Sequence, residues 1–181
     1  MDGSRRSLIL ALLAAPLARA ALAASPAGST SLFASIDGGE LDLADFRGGP
    51  VLMVNTASRC GYTPQLDGLQ ALWERYRGRG LTVVGVPSPS FGQELGSAGA
   101  VKEFCEVNFT LDFPMTGLVE VVGPAAHPFY ALAAESGHAP TWNFHKILLD
   151  GRGEIVASFD RFTEPEAPVL VAAIEALLTE E

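Results

Sequence analysis

The run Val51-Leu52-Met53-Val54-Asn55-Thr56-Ala57 restricts the possible folds of this chain more than any other feature. It is nearly continuous in apolar residues and follows the breaker Gly48-Gly49-Pro50, the pattern of a strand covered on both faces. A strand of that kind sits inside a parallel or mixed sheet and needs a crossover after it. Leu66, Leu69, Leu72, Trp73 and Tyr76 recur at three- and four-residue spacing up to Gly78-Arg79-Gly80, which supplies the crossover as an amphipathic helix closed by glycine. Residues 81–86 then read as a second covered strand.

The rest of the chain fills out one domain. Residues 32–36 and 39–43 alternate around Asp37-Gly38 as a short hairpin. Residues 99–108 read as a helix with Val101, Phe104 and Cys105 on one face, and 129–134 as another. Residues 143–149 and 154–159 read as strands joined by Asp150-Gly151-Arg152-Gly153, and 169–178 as a terminal amphipathic helix. A βαβ half and a ββα half with a helix between them predict an α/β domain of thioredoxin-like fold. Its central mixed sheet is flanked by helices and preceded by an N-terminal β-hairpin.

That domain is expected over residues 32–181, after a signal over 1–24 and a flexible lead-in over 25–31 rich in Ser, Pro, Ala and Gly. Arg5 and Arg6 precede the apolar run 8–17 and the small-residue tract 18–24, the layout of a cleavable export signal, and Ser4-Arg5-Arg6-Ser7-Leu8 also resembles a twin-arginine signal. The apolar run is too short to span a bilayer. The expectation is an exported protein of the bacterial periplasm with no stable membrane span after processing. A formal charge of −9 without a basic stripe excludes nucleic acid as a partner. Two cysteines are too few for a disulfide-built scaffold, and in an exported protein Cys60 and Cys105 would be either one disulfide or a reactive pair.

Cys60 follows a covered strand and precedes Gly61, Thr63, Pro64 and a helix. Open α/β sheets place reactive groups at the carboxyl ends of their strands. A thiol there lies near helix N-terminal amides, whose partial positive charge favours the thiolate, and Arg59 adds to that field. Gly61 would let the backbone approach closely, and Pro64 suits a first helical turn. The competing reading is a small half-buried hydrophobe.

The block Val54-Asn55-Thr56-Ala57-Ser58-Arg59-Cys60-Gly61-Tyr62-Thr63-Pro64-Gln65 resembles the peroxidatic signature of the glutathione peroxidase family in its cysteine form. Phe91-Gly92-Gln93-Glu94, Phe113-Pro114-Met115, Ala126-His127-Pro128 and Trp142-Asn143-Phe144 are similar to later blocks of that family, in the same order. The resemblance implies a thiol-dependent peroxidase reducing hydrogen peroxide or organic hydroperoxides. Its catalytic residues would be Cys60 as nucleophile with Gln93, Trp142 and Asn143 as hydrogen-bonding partners, and Cys60 would pass through a sulfenic acid. No cofactor and no metal are implied, and no second ligand stands at metal spacing around His127, which reads as the residue leading into a helix. The short segment between Tyr130 and Trp142 points to the compact, monomeric subgroup, reduced by a thioredoxin-like protein rather than by glutathione.

Two features depart from the family pattern. Ser88-Pro89-Ser90-Phe91-Gly92 replaces the family's Cys-Asn-Gln-Phe-Gly and is one residue shorter before Gln93-Glu94, which leaves the register of Gln93 open. Alignment places the resolving cysteine of the thioredoxin-dependent branch at Glu106, one residue and about 100 degrees of helix beyond Cys105. Cys105 is a possible resolving thiol, with a buried inert thiol slightly favoured. His138 and His145 read as surface or strand positions, and Glu164, Glu166, Glu175, Glu180 and Glu181 as a solvated face. The rivals are a thiol–disulfide oxidoreductase, which lacks its partner because Thr63 is not cysteine, and a non-catalytic redox sensor or binding module.

Overall fold

The computed structural model describes residues 28–178. The expected export signal, residues 25–27, and Glu180 and Glu181 lie outside the described residues. Residues 28–31 of the expected lead-in are α1 (Gly28–Ser31), a single helical turn against α4 (Pro128–Glu135). The hairpin follows as β1 (Leu32–Ala34) and β2 (Glu40–Asp42), antiparallel with Phe33 opposite Leu41.

The apolar run becomes β3 (Val51–Thr56), the helical periodicity α2 (Gln65–Tyr76), and the second run β4 (Thr82–Pro87). Next come α3 (Ala98–Phe109), α4, β5 (Lys146–Leu149), β6 (Ile155–Phe159) and α5 (Pro168–Leu177). The main sheet has the order β4-β3-β5-β6, with β3 and β4 parallel and the other two pairings antiparallel. This is the thioredoxin-like arrangement that the order of elements predicted. It makes β3 a central strand with a neighbour on each side, and all six of its residues are buried. Among the described residues no helix is long and apolar enough to cross a membrane.

The pleat sorts the core into two layers. Leu52 and Val54 of β3 join Val83, Leu148, and Leu66, Leu69 and Leu72 of α2, with Leu170 and Ile174 of α5. Val51 and Met53 face the other way, with Val84, Val86, Ile147 and Leu149, and are covered by the hairpin residues Phe33 and Leu41 and by Phe129, Tyr130 and Ala133 of α4. A close approach shapes the start of β3: a Cβ on Gly49 would stand 2.1 Å from the carbonyl oxygen of Gly80. The sheet therefore buries both faces, and at the carboxyl end of β3 the buried polar residues Asn55 and Thr56 lead into the Cys60 turn.

One boundary differs from expectation with consequences for the site. The strand expected over 143–149 begins only at Lys146. Pairing with β3 runs from Val51 opposite Leu149 to Val54 opposite Lys146 and stops. Beyond it, buried Phe144 adopts a left-handed backbone (φ 62°), so Trp142-Asn143-Phe144 is a turn and not a strand start. A non-glycine residue held there carries strain of about 1–3 kcal/mol.

Candidate active site

Residues 57–64 form a compact turn between β3 and α2, and Thr63 braces it from inside. The Thr63 hydroxyl accepts the Cys60 N–H (3.1 Å) and lies 2.8 Å from the Ala57 carbonyl oxygen and 2.7 Å from that of Cys60, one of which takes its proton. Backbone bonds Thr63 N to Cys60 O (3.0 Å), Gln65 N to Tyr62 O (2.9 Å) and Leu66 N to Thr63 O (3.0 Å) wind the chain tightly into the helix. Pro64 stands immediately before α2, as its fixed φ suits. Cys60 is 8% exposed and packs with the core layer that includes Leu66, Leu69 and Leu72 of α2. Gly61 does not serve the close approach expected of it, since a Cβ there would meet nothing within 4 Å. Arg59 is exposed, and its backbone N–H is what touches the site.

The shortened loop after β4 delivers Gln93. Ser88 caps a tight turn over Pro89–Phe91 by accepting the Ser90 N–H at 3.2 Å, and Gly92, at φ 70°, closes it. The Ser90 hydroxyl bonds the Glu120 carboxylate and accepts the Val121 N–H at 2.9 Å, which anchors the near end of the loop. At the far end the Arg59 N–H donates to the Gln93 carbonyl at 2.9 Å, and the Ser58 N–H donates to Glu94 Oε1 at 3.0 Å. The loop is thus tied down at both ends, and Gln93 lands beside the Cys60 turn. Its side-chain Oε1 accepts Asn143 Nδ2 at 2.9 Å.

Asn143 and Trp142 arrive from the opposite side, on the strained turn before β5. Asn55, buried in the penultimate position of β3, pins that turn three times. Its Nδ2 donates to Trp142 O (3.0 Å), its carbonyl accepts the Phe144 N–H (2.6 Å), and its N–H donates to His145 O (3.3 Å). The Trp142 ring packs on Phe91 with centroids 5.2 Å apart, two residues before Gln93. Cys60, Gln93, Trp142 and Asn143 thus come from four separated stretches of chain to one end of the sheet. Asn143 is fully buried, whereas Gln93 and Trp142 are half-buried and can meet a small solute.

With Gln93 Oε1 and Asn143 Nδ2 committed to each other, the Gln93 Nε2 hydrogens are presented as donors. The cluster can therefore offer neutral N–H groups to an oxygen near Cys60 without adding charge. Among the described residues no group of three His, Cys, Asp or Glu could hold a metal ion.

Cys105 lies on α3, 4% exposed. Burial, followed by the charges of Glu94 and Glu106, pushes its thiol up to about 11. Glu106, the position that aligns with the resolving cysteine, is exposed and 3.8 Å from Lys102. His127 caps α4, accepting the Phe129 N–H at Nδ1 (3.3 Å), with Nε2 3.0 Å from Leu32 O and its ring stacked on Phe33.

Several residues that hold the site went unnoticed in the sequence. Lys146 is fully buried on β5 and donates to Gln65 Oε1 at 2.5 Å, while Gln65 Nε2 donates to Arg161 O at 2.8 Å and reaches Glu164 at 3.3 Å. Burial pulls its ammonium down to about 8, although Glu164 and Asp160 oppose the shift. A lysine followed directly by the apolar Ile147-Leu148-Leu149 within an expected strand was the available signal. Likewise Asn55 was the polar intruder in an apolar run. His145 is buried too, and burial and then the Lys146 charge lower it to about 4. Glu164, as above, and Glu175, which accepts the Tyr76 hydroxyl at 2.7 Å, are engaged and not simply a solvated face.

Comparison with known proteins agrees with this geometry. The glutathione peroxidase family model matches residues 30–133. A hydroperoxy fatty acid reductase of Synechocystis is 43% identical over 156 residues, covering 80% of this chain and 91% of its own. The T. cruzi GPX1 structure superposes with a TM-score of 0.64 at 29% identity, covering 81% of this chain and 93% of that one. The thioredoxin domain of a thiol-disulfide oxidoreductase from Bacteroides vulgatus shares the fold alone, with a TM-score of 0.59 at 20% identity and coverage of 84% and 97%. A family signature that runs from the hairpin to α4, on a thioredoxin-like sheet with Cys60 at the carboxyl end of its central strand, makes this chain a member of the glutathione peroxidase family.

Proposed function

We propose that this protein is a thiol-dependent peroxidase in which Cys60 reduces hydroperoxides. The observation that carries the reading is the meeting of Gln93, Trp142 and Asn143 beside the Cys60 turn, despite the shortened loop. The Cys60 thiolate attacks the nearer peroxide oxygen; the O–O bond breaks as the S–O bond forms, giving Cys60 sulfenic acid. The leaving oxygen takes a proton and departs as water or alcohol. Gln93 Nε2 and the Trp142 indole N–H are the donors that steady the charge on that oxygen, and Asn143 orients Gln93. Two thiols then complete the cycle: one condenses with the sulfenic acid, releasing water, and the second reduces the mixed disulfide.

Organic hydroperoxides, fatty-acid hydroperoxides among them, fit the half-buried site and the names of the relatives. A thioredoxin-like protein is the reductant, the chain acts as a monomer, and it works in the periplasm after export. Cys105 does not resolve Cys60: its burial and raised proton affinity support an inert thiol. Steady-state hydroperoxide consumption by wild type and Cys60→Ser tests the central claim. Sustained turnover that disappears in the variant supports a peroxidase. A single round of oxidation without turnover, in the presence of a dithiol, would instead leave a sensor.

A further inference from the structure

Glu94 takes no part in the chemistry just described, yet it joins the loop carrying Gln93 to the turn carrying Cys60. Its Oε1 accepts two backbone N–H bonds, from Ser58 at 3.0 Å and from Leu95 at 2.7 Å. The Gln93 carbonyl beside it accepts the Arg59 N–H at 2.9 Å. Two consecutive acceptors, Gln93 O and Glu94 Oε1, therefore grip two consecutive donors, the amides of Arg59 and Ser58, immediately before Cys60.

The Glu94 half of the grip is charge-assisted, and such bonds are roughly twice as strong as neutral ones. It is also costly, because Glu94 Oε2 is buried without a hydrogen-bond partner. A carboxylate half desolvated in this way is worth keeping only where its other oxygen fixes something that must not move. What it fixes is the offset between Gln93 and Cys60, since Gln93 has its other anchor in Asn143 on a different wall of the site.

We propose that Glu94 is a positioning residue for the peroxide reaction, holding the Gln93 carboxamide in register with the Cys60 turn through Ser58. The proposal rests on the peroxidase reading of Cys60. Glu94 acts through Gln93, so its effect must vanish when that amide is absent, which a residue that merely stabilises the fold would not do.

The test is a double-mutant cycle on the single-turnover rate of Cys60 oxidation by hydroperoxide, followed by stopped flow, with Glu94→Ala, Gln93→Ala and the pair. A misplacement near 1 Å at a reacting centre costs up to about a hundredfold, so Glu94→Ala should slow oxidation by about tenfold or more in the Gln93 background. In the Gln93→Ala background the same change should cost less than about twofold. Glu94→Gln, which keeps an oxygen acceptor for the Ser58 N–H, should recover most of the rate. Should Glu94→Ala not fold, Glu94→Asp, which withdraws the carboxylate by one methylene, runs the same cycle. Equal slowing in both backgrounds, or an unchanged rate in a folded variant, overturns the proposal. A wild type whose Cys60 is not oxidised at all overturns the peroxidase reading together with it, whereas normal wild-type oxidation lost in Cys60→Ser but additive effects in the cycle overturns this proposal alone.

Discussion

Replacing Lys146 with methionine should flatten the dependence of stability on pH above neutrality. Lys146 is fully buried, with one hydrogen-bond acceptor, Gln65 Oε1, and burial brings it from 10.5 down to about 8. The folded state thus holds this proton less tightly than the unfolded state does. Below pH 8 both states are protonated and folding carries the whole penalty, about 3 kcal/mol for 2.5 pH units. Above pH 8 the folded protein releases the proton first, and the penalty shrinks until it is gone above 10.5. Wild type should therefore gain about 1 kcal/mol relative to Lys146→Met between pH 7 and pH 9. The variant keeps a linear side chain of similar volume but leaves Gln65 Oε1 without its donor, which costs about 1–3 kcal/mol and offsets the removal of the buried charge. The absolute difference at pH 7 is consequently a poor readout, whereas its change with pH is clean. Urea unfolding of both proteins at pH 7, 8 and 9 measures it. A difference that stays constant across that range would show that Lys146 is not protonated against a penalty in the fold, and the reasoning would fail.

Other perturbations test other parts of the structure. His145, lowered to about 4 by burial and by the Lys146 charge, should cost wild type about 2 kcal/mol as pH falls from 7 to 5, because only the unfolded chain binds the proton there; His145→Leu should lose that slope in urea titrations. Cys105, raised to about 11, has a thiolate fraction near neutrality about a hundredfold below that of a free thiol at 9.0, so iodoacetamide at pH 7.5 should label it only after denaturation, as peptide mass analysis would report. Gly49→Ala drives a Cβ into the Gly80 carbonyl and should destabilise by about 1–3 kcal/mol or more, whereas Gly61→Ala meets nothing and should leave the melting temperature unchanged.

The elements that were legible in the sequence are those whose identity lies in their own periodicity. The apolar run of β3, the spacing of Leu66, Leu69 and Leu72, and the Asp150-Gly151 connection each announce one element, and their order fixes the sheet. The misplaced start of β5 has a different cause. Nothing in Trp142-Asn143-Phe144 signals a left-handed residue, because Phe144 is held there by Asn55, 89 positions earlier, through its carbonyl at 2.6 Å. Residue pattern could not report a conformation imposed by a partner so remote.

The loop before Gln93 makes the same point about the site. Counting residues against the family suggested a missing position and an uncertain amide, and counting is a measure along the chain. The structure closes the gap across the chain: Ser88 and Gly92 tighten the turn, Ser90 ties it to Glu120 and Val121, and Glu94 ties it to Ser58. Serines at 88 and 90 are short, with hydroxyls that accept the Ser90 and Val121 N–H groups, and they make this loop self-supporting. Inserting one residue between Gly92 and Gln93 while keeping both serines should therefore pull the Gln93 carbonyl off the Arg59 N–H and displace the amide from the Cys60 turn, which the rate of Cys60 oxidation would report.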